Sequence, residues 1–214
     1  MKRLKHLALT ALAAAALASG LSACAPLVLG GAAVGALVAM DRRTSGAQLE
    51  DEGIELRSAN QLRSAFGERV QVSANSYNRQ VLLTGQVPDA AHKRMVEEIV
   101  SKVENVRGVA NEVEIGSPST LGQRSSDTLV TGRVKAALVD ARDLSATAFD
   151  VVTERGVVYL MGRVTAREAE RATQVVRNIP GVQKVVRLLE VISEDELARI
   201  TTVRPPAAAP APAR

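Results

Sequence analysis

Two stretches of the chain repeat one order of hydrophobic spacings. Residues 50–66 carry Ile54, Leu56, Ala59, Leu62 and Ala65. Residues 127–141 carry Val130, Val134, Ala137, Leu138 and Ala141, a clean 3.6-residue stripe. Both predict a helix with one apolar face. Behind each helix the period drops to two. Residues 70–74 with 80–87, and 149–153 with 157–164, read as paired strands, and Val158, Leu160, Gly162 and Val164 mark one buried face. The helical period then returns. It buries Val96, Ile99, Val100 and Val103 in the first stretch, and Ala172, Val175, Val176 and Ile179 in the second. Thr165-Ala166-Arg167-Glu168 fits a capping box at the start of the latter helix. Gly108 and Gly181 end these helices and release last strands over 109–115 and 182–192.

The stretches are copies of each other. Val81-Leu82-Leu83-Thr84-Gly85-Gln86-Val87 matches Val158-Tyr159-Leu160-Met161-Gly162-Arg163-Val164, and Val106-Arg107-Gly108-Val109 matches Ile179-Pro180-Gly181-Val182. The first glycines are 77 positions apart and the second pair 73. The difference falls in the intervening helix and equals about one turn. Each copy therefore reads α-β-β-α-β, a three-stranded sheet with two helices on one face. The copies span 47–117 and 125–193, and the Gly/Ser/Pro-rich residues 118–124 form a linker. Residues 194–214 read as a short helix and a Pro/Ala tail. The first hairpin, Asn75-Ser76-Tyr77-Asn78-Arg79, is expected to be the longer one, because it lacks the turn glycine that Gly156 supplies to the second.

Ahead of the repeats, residues 1–23 read as an export signal. Lys2, Arg3 and Lys5 form a charged start, Leu7 to Leu17 an apolar middle, and Ser19 to Ala23 a run of mostly small residues. The apolar part is short for a membrane span, which takes about 20 residues. A second apolar run, 25–40, contains Pro26, and Gly31 and Gly35 are spaced like a helix-packing motif. It is expected to lie at a bilayer surface or against a membrane partner.

Leu21-Ser22-Ala23-Cys24 resembles the bacterial lipobox. The resemblance implies cleavage before Cys24 and acylation of its sulfur and new amine. Ala25 stands where an aspartate would resemble an inner-membrane retention signal, which implies the periplasmic face of the outer membrane. The pattern V-x-L-x-G-x-V entering the second helix, with R-G-V or P-G-V entering the last strand, resembles the BON domain. Two copies behind a lipobox resemble the dual-BON outer-membrane lipoproteins, over residues 21 to about 193. For the fold the resemblance implies the α+β class: two tandem BON domains, each αββαβ with a mixed three-stranded sheet on two helices. For function it implies a lipid-anchored protein that meets anionic phospholipid and supports envelope integrity. It also implies an association with division sites and outer-membrane assembly machinery.

Composition narrows the chemistry. Tyr77, Tyr159, Phe66 and Phe149 are the whole aromatic complement of 214 residues, which argues against base stacking on nucleic acid. With His6, His92 and Cys24 as the only histidines and cysteine, no zinc cluster and no disulfide within the chain can form. The net charge of +4 is largely the leader's: without it, 24 basic residues face 23 acidic ones. That again speaks against nucleic acid. No nucleophile carries a motif, and the glycines fit neither a dinucleotide fingerprint nor a P-loop. His92 lies at the edge of an apolar stripe, and Glu97, Glu98, Asp140 and Asp143 fall on solvent-facing positions or helix ends. Neither catalysis, a metal, a cofactor nor a small-molecule substrate is expected.

Charge differs between the copies. Residues 47–117 hold 8 basic and 11 acidic side chains, and 125–193 hold 10 and 8. On a wheel of the 127–141 helix, Leu129, Gly132, Ala136 and Val139 fall opposite the core side. Arg133 flanks that strip on one side and Lys135 on the other, with Arg124 and Arg142 extending its ends. An apolar strip bordered by cations suits insertion between acyl chains beneath phosphate headgroups. Two other readings stay open. Leu129 and Val139 could pack against the first copy or the linker. Alternatively, the protein is a docking scaffold for outer-membrane assembly machinery, gripping a partner through the acidic copy or the 25–40 run.

Overall fold

The computed structural model describes residues 41–202. The leader, Cys24, the 25–40 run and the Pro/Ala tail lie outside the described residues. The elements run α1 (Ser45–Phe66), β1 (Gln71–Tyr77), β2 (Gln80–Val87), α2 (Ala90–Ser101), β3 (Gly108–Asn111) and β4 (Glu114–Ile115). The second half runs α3 (Leu121–Asp140), β5 (Phe149–Glu154), β6 (Val157–Thr165), α4 (Ala166–Val176), β7 (Lys184–Ile192) and α5 (Glu194–Thr202). The duplicated αββαβ order is present, with the short helix α5 behind it.

Capping lengthens both opening helices beyond their hydrophobic stripes. The Thr44 hydroxyl accepts the Ala47 N–H at 3.1 Å, starting α1 at Ser45 instead of residue 50. Thr120 and Gln123 form a reciprocal capping box that starts α3 at Leu121, six residues before the apolar stripe. Residues 118–124 are therefore not all linker: 121–124 are the first turn of α3. Satisfying orphan N–H groups outweighs the helix cost of Gly122.

In each copy the first two strands are antiparallel and the last returns parallel to the middle one. In the first copy the expected strand 109–115 is broken into β3 and β4, both paired with β2. The Asn111 side chain accepts the Val113 N–H and donates to the Lys93 carbonyl, diverting the backbone between them. In the second copy β7 begins at Lys184, after a turn closed by Val182 N–H to the Ile179 carbonyl.

The first hairpin is not the longer one. Both turns have two central residues with positive φ, Asn78 (50°) and Arg79 (70°), then Arg155 (49°) and Gly156 (76°), the conformation that matches strand twist. One buried carboxylate per copy holds them. Asp51 of α1 accepts the Asn78 and Arg79 N–H groups at 2.8 and 2.7 Å, and Asp127 of α3 accepts those of Arg155 and Gly156 at 2.8 and 2.9 Å. Glycine is thus dispensable at Arg79, and β1 runs on to Tyr77.

Each helix pair covers one face of its sheet. Ile54, Leu62, Val81, Leu83, Val96 and Val100 fill the first core, and Val130, Val134, Val158, Leu160, Ala172 and Val176 the second. A third cluster joins the copies. Tyr77 and Leu82 of one sheet meet Tyr159 and Met161 of the other, with Ala110, Val152 and Val186 around them. The sheet faces opposite the helices therefore pack on each other, giving layers in the order helices, sheet, sheet, helices. The connection is fastened as well: Glu154 accepts from Gln86 at 2.7 Å and Ser119 at 2.8 Å, and Arg155 donates to the Ser117 carbonyl.

The repeated signature glycine has a steric origin. A Cβ on Gly85 would collide with the Gln71 carbonyl oxygen, and one on Gly162 with that of Ala148. The V-x-L-x-G-x-V glycine is where the middle strand passes closest to its neighbour's backbone.

Candidate functional site

Helix α3 buries Val130, Val134 and Leu138 in the second core. The opposite side is bare. Leu129 is 61% exposed and Val139 68%, with Gly132 and Ala136 exposed between them. The copies bury each other through their sheets, so this helix face is left to solvent, and Leu129 and Val139 do not pack against the first copy or the linker. At 100° per residue, Leu121, 75% exposed, joins the same strip. Sequence reading missed Leu121 by assigning its segment to a linker. The Thr120-x-x-Gln123 spacing was the signal that could have found it.

The border of the strip is cationic. Arg124 and Lys135 lie along one side of it and Arg142 follows just past the end of the helix, all exposed and without side-chain partners among the described residues. On the other side, Arg133, also exposed, donates from its guanidinium to the Pro180 carbonyl at 3.2 Å. All eight surface positions named from sequence are exposed. The first copy does not reproduce it. Aligning Asp51 with Asp127 places Ala59 at Lys135, Asn60 at Ala136 and Arg63 at Val139. Arg57, at the place of Arg133, is paired with Glu50 at 2.6 Å. Leu49 and Leu56 are exposed on α1, with Glu52 and Arg63 exposed on the same side.

A second arrangement went unnoticed in the sequence. The residues entering α1 are held by both copies. The buried Arg42 guanidinium meets the Glu168 carboxylate through two bonds of 2.7 Å and donates to the Arg163 carbonyl. Glu168 also closes the α4 capping box by accepting the Thr165 N–H. Burial alone would raise the Glu168 pKa. The Arg42 and Thr165 hydrogen bonds outweigh it and hold the carboxyl below its ordinary value. Next in the chain, Arg43 pairs with Asp41 and Asp51 and lies 4.2 Å from the Tyr77 ring centroid. A cavity of about 450 Å³ beside this junction is lined by Arg42, Arg43, Arg163 and Arg199. Arg42, Arg43 and Arg163 already face carboxylates, which disfavours it as an anion site.

Nothing in this arrangement resembles an acid–base centre. His92 is fixed by Asp89 at 2.9 Å and lies 5.7 Å from the Phe66 ring. Burial pushes the Tyr77 and Tyr159 phenols up to about 12. Among the described residues, no group of three or more His, Cys, Asp or Glu is placed to hold a metal ion. No helix among them is long and apolar enough to cross a membrane.

Comparison with known proteins adds names to this geometry. The BON domain family matches residues 51–117 and 126–193. The outer membrane lipoprotein DolP of Haemophilus influenzae is 37% identical over 173 residues, 79% of this chain and 89% of that protein. A 21 kDa hemolysin of Actinobacillus pleuropneumoniae is 32% identical, over 72% of this chain and 80% of that one. Among solved structures, the C-terminal domain of CdsD from the type III secretion system of Chlamydia trachomatis aligns with 14% identity and a TM-score of 0.28, over 63% of this chain and 96% of that one. Two family matches on two copies of one αββαβ unit, with a relative similar along most of its length, give the assignment: the chain is a dual-BON-domain protein of the DolP-like kind.

Proposed function

We propose that this protein is a non-catalytic outer-membrane lipoprotein, anchored on the periplasmic face through acylated Cys24, whose second BON domain binds anionic phospholipid with α3. The similarity to a protein named outer membrane lipoprotein DolP supports the location, and the lipobox at Leu21–Cys24 supports the anchor. The single observation that carries the lipid reading is the exposed strip of Leu121, Leu129 and Val139 bordered by Arg124, Lys135 and Arg142, which have no side-chain partners among the described residues.

Magnitudes fit a tethered binder. Each cation near an anionic surface contributes about 1 kcal/mol, so four give only weak binding alone. An acyl anchor holds the domain at high effective concentration beside the bilayer, where weak contacts suffice. Through that contact the protein supports envelope integrity, including at division sites. Replacing Arg133 and Lys135 by glutamate should abolish co-sedimentation of the unacylated mature chain with phosphatidylglycerol vesicles and leave thermal unfolding unchanged. Undiminished binding by this variant would refute the surface.

The second reading, a docking scaffold for outer-membrane assembly machinery, is favoured by Leu49 and Leu56, exposed on α1. Crosslinking in intact envelopes discriminates. A scaffold keeps a stoichiometric partner in the Arg133→Glu, Lys135→Glu variant, and a lipid binder has none to keep.

A further inference from the structure

Asp41–Arg43 lies outside both family matches, yet it touches both domains. We infer that it is a latch that docks the root of the anchored segment onto the second domain and so turns α3 toward the bilayer. This rests on the lipid-facing reading of α3 proposed above.

The geometry is specific. Arg42 and Glu168 are 8% and 4% exposed at their side chains, and a bidentate pair of this kind fixes orientation as well as distance. Removing one partner leaves a buried charge uncompensated, so the latch holds as a unit. Its position also matters. Glu168 sits in the first turn of α4, where Arg171 pairs with Asp143 at 2.9 Å and Arg167 donates to the Asp143 carbonyl. Asp143 directly follows Arg142, at the end of the α3 cationic border. The chain arriving from Cys24 is therefore bound to the second domain beside the face that meets lipid.

Seventeen residue steps separate Cys24 from Asp41, and such a chain reaches at most about 60 Å. Where the root is fixed on the protein therefore sets which surface is held nearest the anchor. Arg42 and Glu168 are thus positioning residues, and neither contacts lipid.

The test uses Glu168→Gln. Glutamine still accepts the Thr165 N–H, keeping the capping box, but its amide faces the Arg42 donors with donors of its own. In the unacylated mature chain, trypsin should cut after Arg42 or Arg43 several-fold faster than in the parent, with thermal unfolding retained. This readout needs no lipid, so it stands whether or not α3 binds any. An unchanged cutting rate would overturn the latch.

The positioning role is read in the acylated chain in phosphatidylglycerol vesicles, with a fluorophore on Ala136→Cys and a quencher on the headgroups. Glu168→Gln should reduce quenching several-fold there, while vesicle affinity of the unacylated chain stays unchanged. If quenching persists, or the unacylated chain loses affinity in proportion, the positioning role is overturned. If the acylated parent shows no quenching, the lipid-facing reading falls and takes the positioning role with it; the proteolysis result then decides the latch alone.

Discussion

At the scale of single residues, the two copies share a design that apolar periodicity cannot reveal. Asp51 and Asp127 each hold a two-residue turn with positive φ by accepting its backbone N–H groups, and each is buried to do so. Leaving those donors without an acceptor costs about 2–4 kcal/mol, so Asp127→Ala should lower stability by that amount in urea unfolding. Gly162→Ala should cost more than about 2 kcal/mol, because its Cβ meets backbone that cannot move aside. Sequence reading marked Gly162 through the repeated signature but passed over the aspartates. A buried acceptor is indistinguishable, in one sequence, from a solvated helix charge.

Glu168 gives a pH dependence of definite sign. Its folded pKa is depressed, so its contribution is fully present above the ordinary glutamate range and is lost as pH falls through the folded value. Parent stability should therefore drop on acidification through that range, and the Arg42→Met, Glu168→Gln pair should show a flatter profile in thermal unfolding against pH. Equal slopes would contradict the role given to this pair.

At the scale of elements, the core sides of α2, α3 and α4 were legible in their 3.6-residue apolar period, whereas α1 buries Ile54, Ser58, Leu62 and Phe66 and exposes Leu56, Ala59 and Ala65, which sequence reading had counted with its apolar positions. The Thr165 capping box marked the start of α4, but the starts of α1 and α3 were not legible. Thr44 and Thr120 begin α1 and α3 in polar sequence, where capping decides and hydrophobicity is silent. The consequence reaches the proposed lipid face, since the extra turns of α3 add Leu121 to the exposed strip. Leu121→Glu should weaken vesicle binding of the unacylated chain several-fold without changing its unfolding midpoint, as measured by flotation. Binding should also fall as ionic strength rises from about 0.05 to about 0.5 M, where surface charges are screened over a few ångströms.

At the scale of the molecule, the duplication was plain in the sequence and the packing of its halves was not. The strands of both sheets are rich in apolar residues on both faces, and only the fold shows that the second face is buried by the sister sheet through Tyr77, Leu82, Tyr159 and Met161. That arrangement leaves both opening helices outward. The two differ in charge: among the described residues α3 keeps Arg124 and Lys135 without side-chain partners, and α1 has the arginine equivalent to Arg133 tied to Glu50.

The most direct measurement is residue-by-residue NMR perturbation of the unacylated mature chain, Cys24→Ser, titrated with phosphatidylglycerol-containing micelles. The account predicts that the largest shifts fall between Leu121 and Arg142, with little change in α1 and α2. Perturbations centred on α1, or none at all, would contradict it.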